Sequence, residues 1–340
     1  MDDSRINKRK KKWPRRLLYV VLMLLLILVG FSLFAGVQAM NAFDQSQVDL
    51  NRENDKSDFR NKSVTIDKDP ISILLMGVED YSSDGKHGRA DTQIVMTIDP
   101  ETHDMNMVTI PRDTRVTIEN AKEYTGTHKI NAAYTYGSIT GYGAEKLQME
   151  TVENLLNIPI DHFVTVGFDG FRDIVDALGG VDIDIKEGFW EKNIYQNDER
   201  IYFEQGDTHL NGEESLAFVR MRKRSVNASY GRDTRQRQFL KATIDQAISA
   251  GTIFKVSDIT DILGKSVKTD LAAKEIFALE KQLAAKNDLS MKTIEIKGTE
   301  KTVNNGSYFI PEKTDLEEVS QQLRQVLGLD PVDHFTTNAD

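Results

Sequence analysis

The sequence predicts an α/β protein: a mixed central sheet flanked by helices in αβα layers, preceded by one N-terminal transmembrane helix. Three features lead there. Leu17 to Phe43 carries no charged residue. Beyond Pro70, short apolar runs ending at Gly or Pro alternate with longer stretches whose apolar residues recur at helical spacing. The 340 residues are 39% hydrophobic, with 7 prolines and no cysteine, which is enough for a sizeable core and too ordered for a disordered scaffold.

Residues 1–16 hold eight Lys/Arg against Asp2 and Asp3, a local +6 that leaves −16 for the remainder. They read as a cytoplasmic basic tail. Residues 17–37 follow as the anchor, because roughly 20 helical residues cross a ~30 Å hydrocarbon layer and the stretch outlasts the ~15 residues of a cleavable signal. With Lys/Arg in excess only on the N-terminal flank, the rest of the chain is expected on the extracytoplasmic side. Residues 38–69 are polar and read as a linker. A single domain is then expected over 70–330, with 331–340 as a C-terminal tail.

Within that domain Ile71–Val78 is expected as a buried strand, and Gln93–Ile98 and Met105–Ile110 as two more. Ala144–Asn157 has helical spacing, His162–Val166 reads as a strand, and Phe171–Leu178 as a helix stopped by Gly179-Gly180. Val181–Ile185 alternates like a half-buried strand. Asn211 precedes Glu214 by three residues, a capping pair that opens a helix through Val219. Helices over Arg232–Ser249, Asp270–Ala285 and Asp315–Val326, and a strand over Met291–Ile296, complete the set.

Several chemistries are excluded. Without Cys there is no disulfide framework, thiolate zinc site or cysteine nucleophile, and the 6 histidines show no paired spacing. The acidic bulk argues against nucleic acid as a partner. Gly264-Lys265-Ser266 lacks the upstream glycine of a phosphate loop, and no Gly-x-Ser-x-Gly elbow is present.

What stands out is where arginine sits. Lys86 to Arg237 contains eleven Arg and seven Lys, whereas Lys241 to Asp340 contains one Arg and eleven Lys. Guanidinium is a planar fork that pairs bidentately with phosphate or carboxylate, so the Arg-rich part is a candidate oxyanion site. Its arginines come in blocks at expected element ends, interleaved with Glu79, Asp80, Asp91, Asp113 and Asp233. That combination suits diphosphate chemistry: forks for the oxygens and hard carboxylate ligands for a divalent cation.

The blocks Met76-Gly77-Val78-Glu79, Gly88-Arg89-Ala90-Asp91-Thr92, Ile110-Pro111-Arg112-Asp113-Thr114, Lys129-Ile130-Asn131, Gly179-Gly180-Val181, Ala217-Phe218-Val219-Arg220-Met221-Arg222 and Gly231-Arg232-Asp233-Thr234-Arg235-Gln236 follow one another in the order of a known signature. In them the sequence resembles the LytR-CpsA-Psr (LCP) family of Gram-positive cell envelopes. The resemblance implies a magnesium- or manganese-dependent phosphotransferase in the cell membrane, with its catalytic domain outside. It would move an anionic glycopolymer, wall teichoic acid or capsule-like, from undecaprenyl diphosphate to the muramic acid 6-hydroxyl of peptidoglycan. Carried over residue by residue, Asp91, Arg89, Arg112, Arg220 and Arg222 would be catalytic. Arg232, Arg235, Gln236, Lys129 and Asn131 would join the arginines around the diphosphate, and Glu79 and Asp91 would hold Mg²⁺ or Mn²⁺.

Two positions depart from the family pattern: Glu79 stands where Asp is frequent, and Ser229 where many members carry Asp. Ser229 leaves open the base for the acceptor hydroxyl, and with it a second reading as a non-catalytic, membrane-tethered glycopolymer binder or attenuator-type regulator. A lipid donor also calls for an apolar trough, with candidate lining from Ile158, Ile160, Phe163, Val166, Phe168, Phe171, Ile174, Val175 and Leu178.

Overall fold

The computed structural model describes residues 47–340 except 80–86, 103, 197–198, 250–266, 273, 277 and 280–290. The basic tail and the anchor expected at 1–37 lie outside the described residues, and among the described residues no helix is long and apolar enough to cross a membrane.

Strands β1 (Ile71–Glu79), β2 (Arg89–Ile98) and β3 (Met105–Thr109) form the antiparallel centre of a sheet. β4 (Arg115–Ile118) and β5 (Gly126–Lys129) make a separate hairpin. Two helices follow, α1 (Ala132–Thr140) and α2 (Ala144–Leu156), and then β6 (His162–Gly167), which lies parallel to β1. After α3 (Phe168–Ala177) come β7 (Val181–Ile185), the hairpin β8 (Phe189–Lys192) and β9 (Arg200–Phe203), and β10 (Gly206–Leu210), which pairs with β7. Helices α4 (Gly212–Arg220) and α5 (Arg232–Ser249) precede β11 (Val267–Thr269) and β12 (Met291–Glu295). The hairpin β13 (Gly298–Val303) and β14 (Gly306–Pro311) and helix α6 (Lys313–Val326) close the chain. The six-stranded sheet runs β11-β6-β1-β2-β3-β12 and is mixed, with parallel pairs β1/β6 and β3/β12.

Strand parity decides which face each side chain serves. Leu74, Met76 and Val78 of β1, Val95 of β2 and Phe163 of β6 point into the main core, where they meet Leu147, Val152 and Leu155 of α2 and Leu316, Val319 and Leu323 of α6. Ile71, Ile73 and Leu75 point to the opposite face. A second apolar cluster joins β7 to α3, α4 and α5 through Val175, Ile183, Phe218 and Phe239. Most expected elements therefore exist where their periodicity placed them. The capping pair at Asn211 and Glu214 forms in both directions, at 3.0 and 2.9 Å. After α3 the chain turns through Gly179 and Gly180 at φ +79° and +93°, and a side chain at Gly180 would lie 2.3 Å from the His209 ring. Of the helix expected over 270–285, residues 274–276 and 278–279 are helical, and 280–285 lie outside the described residues.

Residues 47–69, expected within a polar linker, are clasped onto the domain. Arg60 is buried and forks onto Asp161 at 2.9 and 2.7 Å. Arg52 donates to the Ile160 carbonyl at 2.6 Å and pairs with buried Glu153 at 3.3 Å, and Ile66 is fully packed. Arg52 and Arg60 reach inward to carbonyls and carboxylates, while most of the segment's other polar residues stay exposed. The expected C-terminal tail is docked as well: Phe335 is buried, Asn338 donates to the carbonyls of Thr117 and Thr151, and Asp340 pairs with Arg115 at 2.8 Å.

Burial pushes the Glu153 carboxyl up to about 7, against the opposing pull of Arg52. Its folded pKa then exceeds its unfolded one, so the folded state holds the extra proton between the two values. Stability should fall as pH rises from about 4.5 through 7 and level off above. Chemical denaturation across that window, with Glu153→Gln flattening the slope, checks it.

Candidate active site

The antiparallel register of β1 and β2 slips at one point: Gly77 faces Thr92 and Val78 faces Ala90, leaving Asp91 as an extra residue. A bulge of this kind re-aims side chains. Asp91 and Thr92 both line a cavity of about 900 Å³ between the second face of the sheet and helices α3, α4 and α5. Gly77 lines it too, with Thr92 Cβ 3.0 Å from where a Cβ would stand.

The Asp91 carboxylate is held from two sides. Asn131, buried at the start of α1, donates to Oδ1 at 2.9 Å, and Arg112, just past β3, donates to Oδ2. Arg232 Nη2 reaches the Asp91 carbonyl at 3.4 Å, and Gln236, one helical turn later on α5, donates to Thr92 Oγ1 at 2.9 Å. Arg220 is the last residue of α4, its guanidinium 5.1 Å from the Phe168 ring centroid. Met221 leaves the helix at φ −56°, ψ 133°, and this turn lets Arg222 line the same cavity as Arg220. Both Arg220 and Arg232 are largely desolvated, and burial pushes their pKa values below the usual guanidinium range while each remains a cation. Cations withdrawn from water gain most from a multivalent anion.

The cavity therefore carries arginines together with Glu79, Asp91 and Glu191, and most of its remaining lining is apolar. Of the trough residues expected from sequence, Val166, Phe168, Phe171, Ile174 and Val175 do line it. Ile158, Ile160 and Phe163 are fully buried in the main core instead, and Leu178 is not on the wall. Parity explains the split along β6: Val164 and Val166 face the cavity and Phe163 faces away. A second, polar cavity of about 450 Å³ shares Arg112, Arg222 and Arg232 with the first and adds Asp113, Asp233, Arg237, Glu295 and Tyr308.

Other expected site residues stand elsewhere. Arg235 is a correction: it is fully buried and donates to the carbonyls of Phe218, at 3.0 Å, Met221 and Tyr230, so its fork is occupied by the protein itself. Arg89 is exposed at the start of β2, opposite Glu79, and lines neither cavity. Lys129 lines neither, pairing with Asp113 at 2.7 Å and lying 5.7 Å from the Tyr308 ring centroid. Ser229 turns its hydroxyl to Glu187 at 2.6 Å, away from both cavities. Glu191, Lys223 and Arg224 line the large cavity without any sequence signal. They belong to a short hairpin and a turn whose place over the site is set by tertiary packing.

Glu79 and Asp91 are hard oxygen donors on one cavity wall. Among the described residues no group of three or more His, Asp or Glu forms a cage. Two carboxylates beside an arginine cluster suit an Mg²⁺-like ion that completes its shell with substrate phosphates and water, and a carboxylate holding two hydrogen bonds keeps lone pairs for it.

If Arg220 and Arg222 grip oxygens bidentately, exchange for Lys removes a two-point contact worth roughly 1.5 to 3 kcal/mol, about ten- to hundredfold. Arg220→Lys and Arg222→Lys should each keep the melting temperature and bind prenyl diphosphate at least about tenfold more weakly. Unchanged affinity in lipid titrations removes that arginine from the ligand set.

The LytR_cpsA_psr family model matches residues 33–325. The polyisoprenyl-teichoic acid–peptidoglycan teichoic acid transferase TagV of Bacillus subtilis is 41% identical over 324 residues, covering 94% of this chain and 81% of the relative. TagU of Oceanobacillus iheyensis, a transferase of the same description, is 35% identical over 94% of this chain and 96% of its own length. Among solved structures, B. subtilis TagV superposes with a TM-score of 0.67 at 42% identity, over 78% of this chain and 99% of that one. TagT with bound octaprenyl pyrophosphate lipid gives 0.63 at 28% identity, over 83% and 100%. A family match over residues 33–325, with relatives this similar over most of both chains and a bulged sheet that sets Arg112 and Arg232 on the Asp91 group, means that this chain belongs to the LytR-CpsA-Psr family.

Proposed function

We propose that this protein is a membrane-anchored phosphotransferase that moves an anionic glycopolymer from a polyprenyl diphosphate carrier to the muramic acid 6-hydroxyl of peptidoglycan. The observation that carries the reading is the large, mostly apolar cavity whose wall also carries Arg112, Arg220, Arg222 and Arg232. A prenyl chain suits the apolar lining and a diphosphate the arginines. Relatives named as teichoic acid transferases, and a related structure holding a prenyl pyrophosphate, support it.

In this reading the acceptor hydroxyl oxygen attacks the phosphorus that bears the glycopolymer. The bond from that phosphorus to the bridging oxygen breaks, and prenyl monophosphate leaves with the electron pair. The hydroxyl proton passes to a carboxylate on the polar side, where Asp233 and Asp113 stand. Arg220, Arg222 and Arg232 neutralise the non-bridging oxygens, Arg112 and Asn131 hold Asp91 in its orientation, and the apolar walls exclude water from the leaving group. Glu79 and Asp91 would hold Mg²⁺ or Mn²⁺, which when bound supplies further charge neutralisation on the phosphates.

Residues 17–37 are read as the anchor and residues 1–16 as its cytoplasmic flank, which puts the domain at the outer surface of the membrane, near prenyl-linked polymer and peptidoglycan. Full-length protein in detergent, given a prenyl-diphosphate-linked saccharide and peptidoglycan, should release prenyl monophosphate and label the peptidoglycan, and a chelator should stop both. Tight binding without release at any divalent concentration overturns the enzyme reading in favour of a binder.

A further inference from the structure

We infer that the β11 edge of the central sheet faces the bilayer at close range, held there by the clasped segment 47–69, so that the sheet runs from a lipid-facing edge at β11 to a wall-facing edge at β12. This rests on the anchor reading of residues 17–37.

The first argument is chain length. The Val48 amide donates to the Thr269 carbonyl of β11 at 2.9 Å, Gln47 bridges to the same residue, and Val48 and Leu50 pack on the main core. Further along, Arg52 and Arg60 lock the segment to Ile160 and Asp161. Every residue from Gln47 to Pro70 is therefore spent on the domain surface and unavailable as stalk. Between Val37 and Gln47 an extended chain reaches at most about 36 Å, and from Phe43, the last residue of the uncharged stretch, about 14 Å. A free linker over 38–69 would have let the domain turn any face to the membrane. The clasp leaves β11 as the element at which the anchor arrives.

The second argument is what lies beside β11. It pairs with β6, Thr269 opposite Val164 and Val267 opposite Val166, and those two valines are wall residues of the apolar cavity. The lipid-binding part of the site thus borders the strand at which the anchor arrives.

The third argument comes from the far edge. β12 ends at Glu295, which with the next residue, Ile296, and the β13–β14 hairpin lines the polar cavity. Five strand intervals of about 4.8 Å set the two edges some 24 Å apart. Arg112, Arg222 and Arg232, shared by both cavities, mark the passage from apolar to polar. An amphiphile with its prenyl chain against β6 and its diphosphate on those arginines would then have its polymer on the side away from the membrane.

The chain has no cysteine, so single labels are clean. Lys268→Cys on β11, its native side chain 58% exposed, and Lys301→Cys on exposed β13 are labelled with a fluorophore in the full-length protein. Each is placed in nanodiscs of anionic phospholipid containing a headgroup-linked quencher. The label at 268 should be quenched several-fold more than the label at 301. Equal or reversed quenching in protein that co-floats with lipid overturns the inference alone, whereas protein that does not co-float overturns the anchor reading and the inference with it. A second variant leaves the folded domain untouched: twenty Gly/Ser residues inserted between Ser46 and Gln47, spanning roughly 25 Å. Quenching at 268 should fall severalfold. Transfer from a bilayer-embedded donor should fall at least about threefold as the site's effective concentration at the surface drops, with transfer from a detergent-dispersed donor unchanged. Retention of both quenching and bilayer transfer would show that the short tether does not set the orientation.

Discussion

Asp91→Asn should lower transfer by about two orders of magnitude while the melting temperature stays within a few degrees. The residue is the extra one of the β1–β2 bulge, outside the core, so an isosteric amide leaves the packing intact there. Its charge is another matter. Asp91 accepts from both Arg112 and Asn131 and lines the same cavity as Glu79. A neutral side chain forfeits a charge-assisted bond of roughly 1.5 to 3 kcal/mol, about ten- to hundredfold in rate if it acts in the transition state, and weakens the hold on a divalent ion as well. Single-turnover release of prenyl monophosphate across a magnesium titration is the measurement. Wild-type turnover in the variant would take Asp91 out of the chemistry and leave Glu79 and Asp233 as the carboxylates to examine.

Arg235→Met should be the most destabilising single change among the signature arginines. The side chain is fully buried, and burial lowers its pKa to about 10, yet its fork satisfies three carbonyls where α4 ends and the chain re-enters α5. Removing the fork leaves buried carbonyls without donors, at about 3 kcal/mol or more in total, which for a domain of this size corresponds to a fall of roughly 6 to 12 °C in melting temperature. If Arg235 instead contacted the diphosphate, the variant would keep its melting temperature and lose only ligand affinity. Thermal melts beside lipid titrations below the transition separate the two. Because the Phe218 and Met221 carbonyls belong to the turn that aims Arg220 and Arg222, some loss of affinity should accompany the fall in stability. Arg235 is thus a positioning residue.

The contrast between Arg235 and Arg232 shows where sequence reasoning stops. Both stand in one short block, and nothing in residue type or spacing tells them apart. On α5 they are three positions apart: Arg232 reaches the Asp91 carbonyl and Arg235 the loop leaving α4. The same limit applies to β6, where Phe163 and Val164 are equally apolar and one strand step sends them to opposite faces. Arg89 and Lys129 belong to signature blocks as clearly as Arg112 does, yet only Arg112 is carried onto the cavity wall.

Much was nevertheless determined by the sequence itself. Local periodicity and punctuation specified most elements of the α/β domain, because a helix or strand that buries one face must repeat its apolar residues at that element's own period. The capping pair at Asn211 and Glu214 was legible because its partners are three residues apart. A candidate oxyanion site was legible in the concentration of arginine over lysine, and the family in the order of its blocks. Tertiary structure alone decided which arginines share a cavity and that Asp91 is the bulged residue. It also decided that residues 47–69 are clasped rather than loose, and that a short hairpin brings Glu191 to the site. Each of these depends on pairings between residues tens to hundreds of positions apart, such as Arg60 with Asp161, and a one-residue change of register or helical phase would reverse them without altering any local pattern.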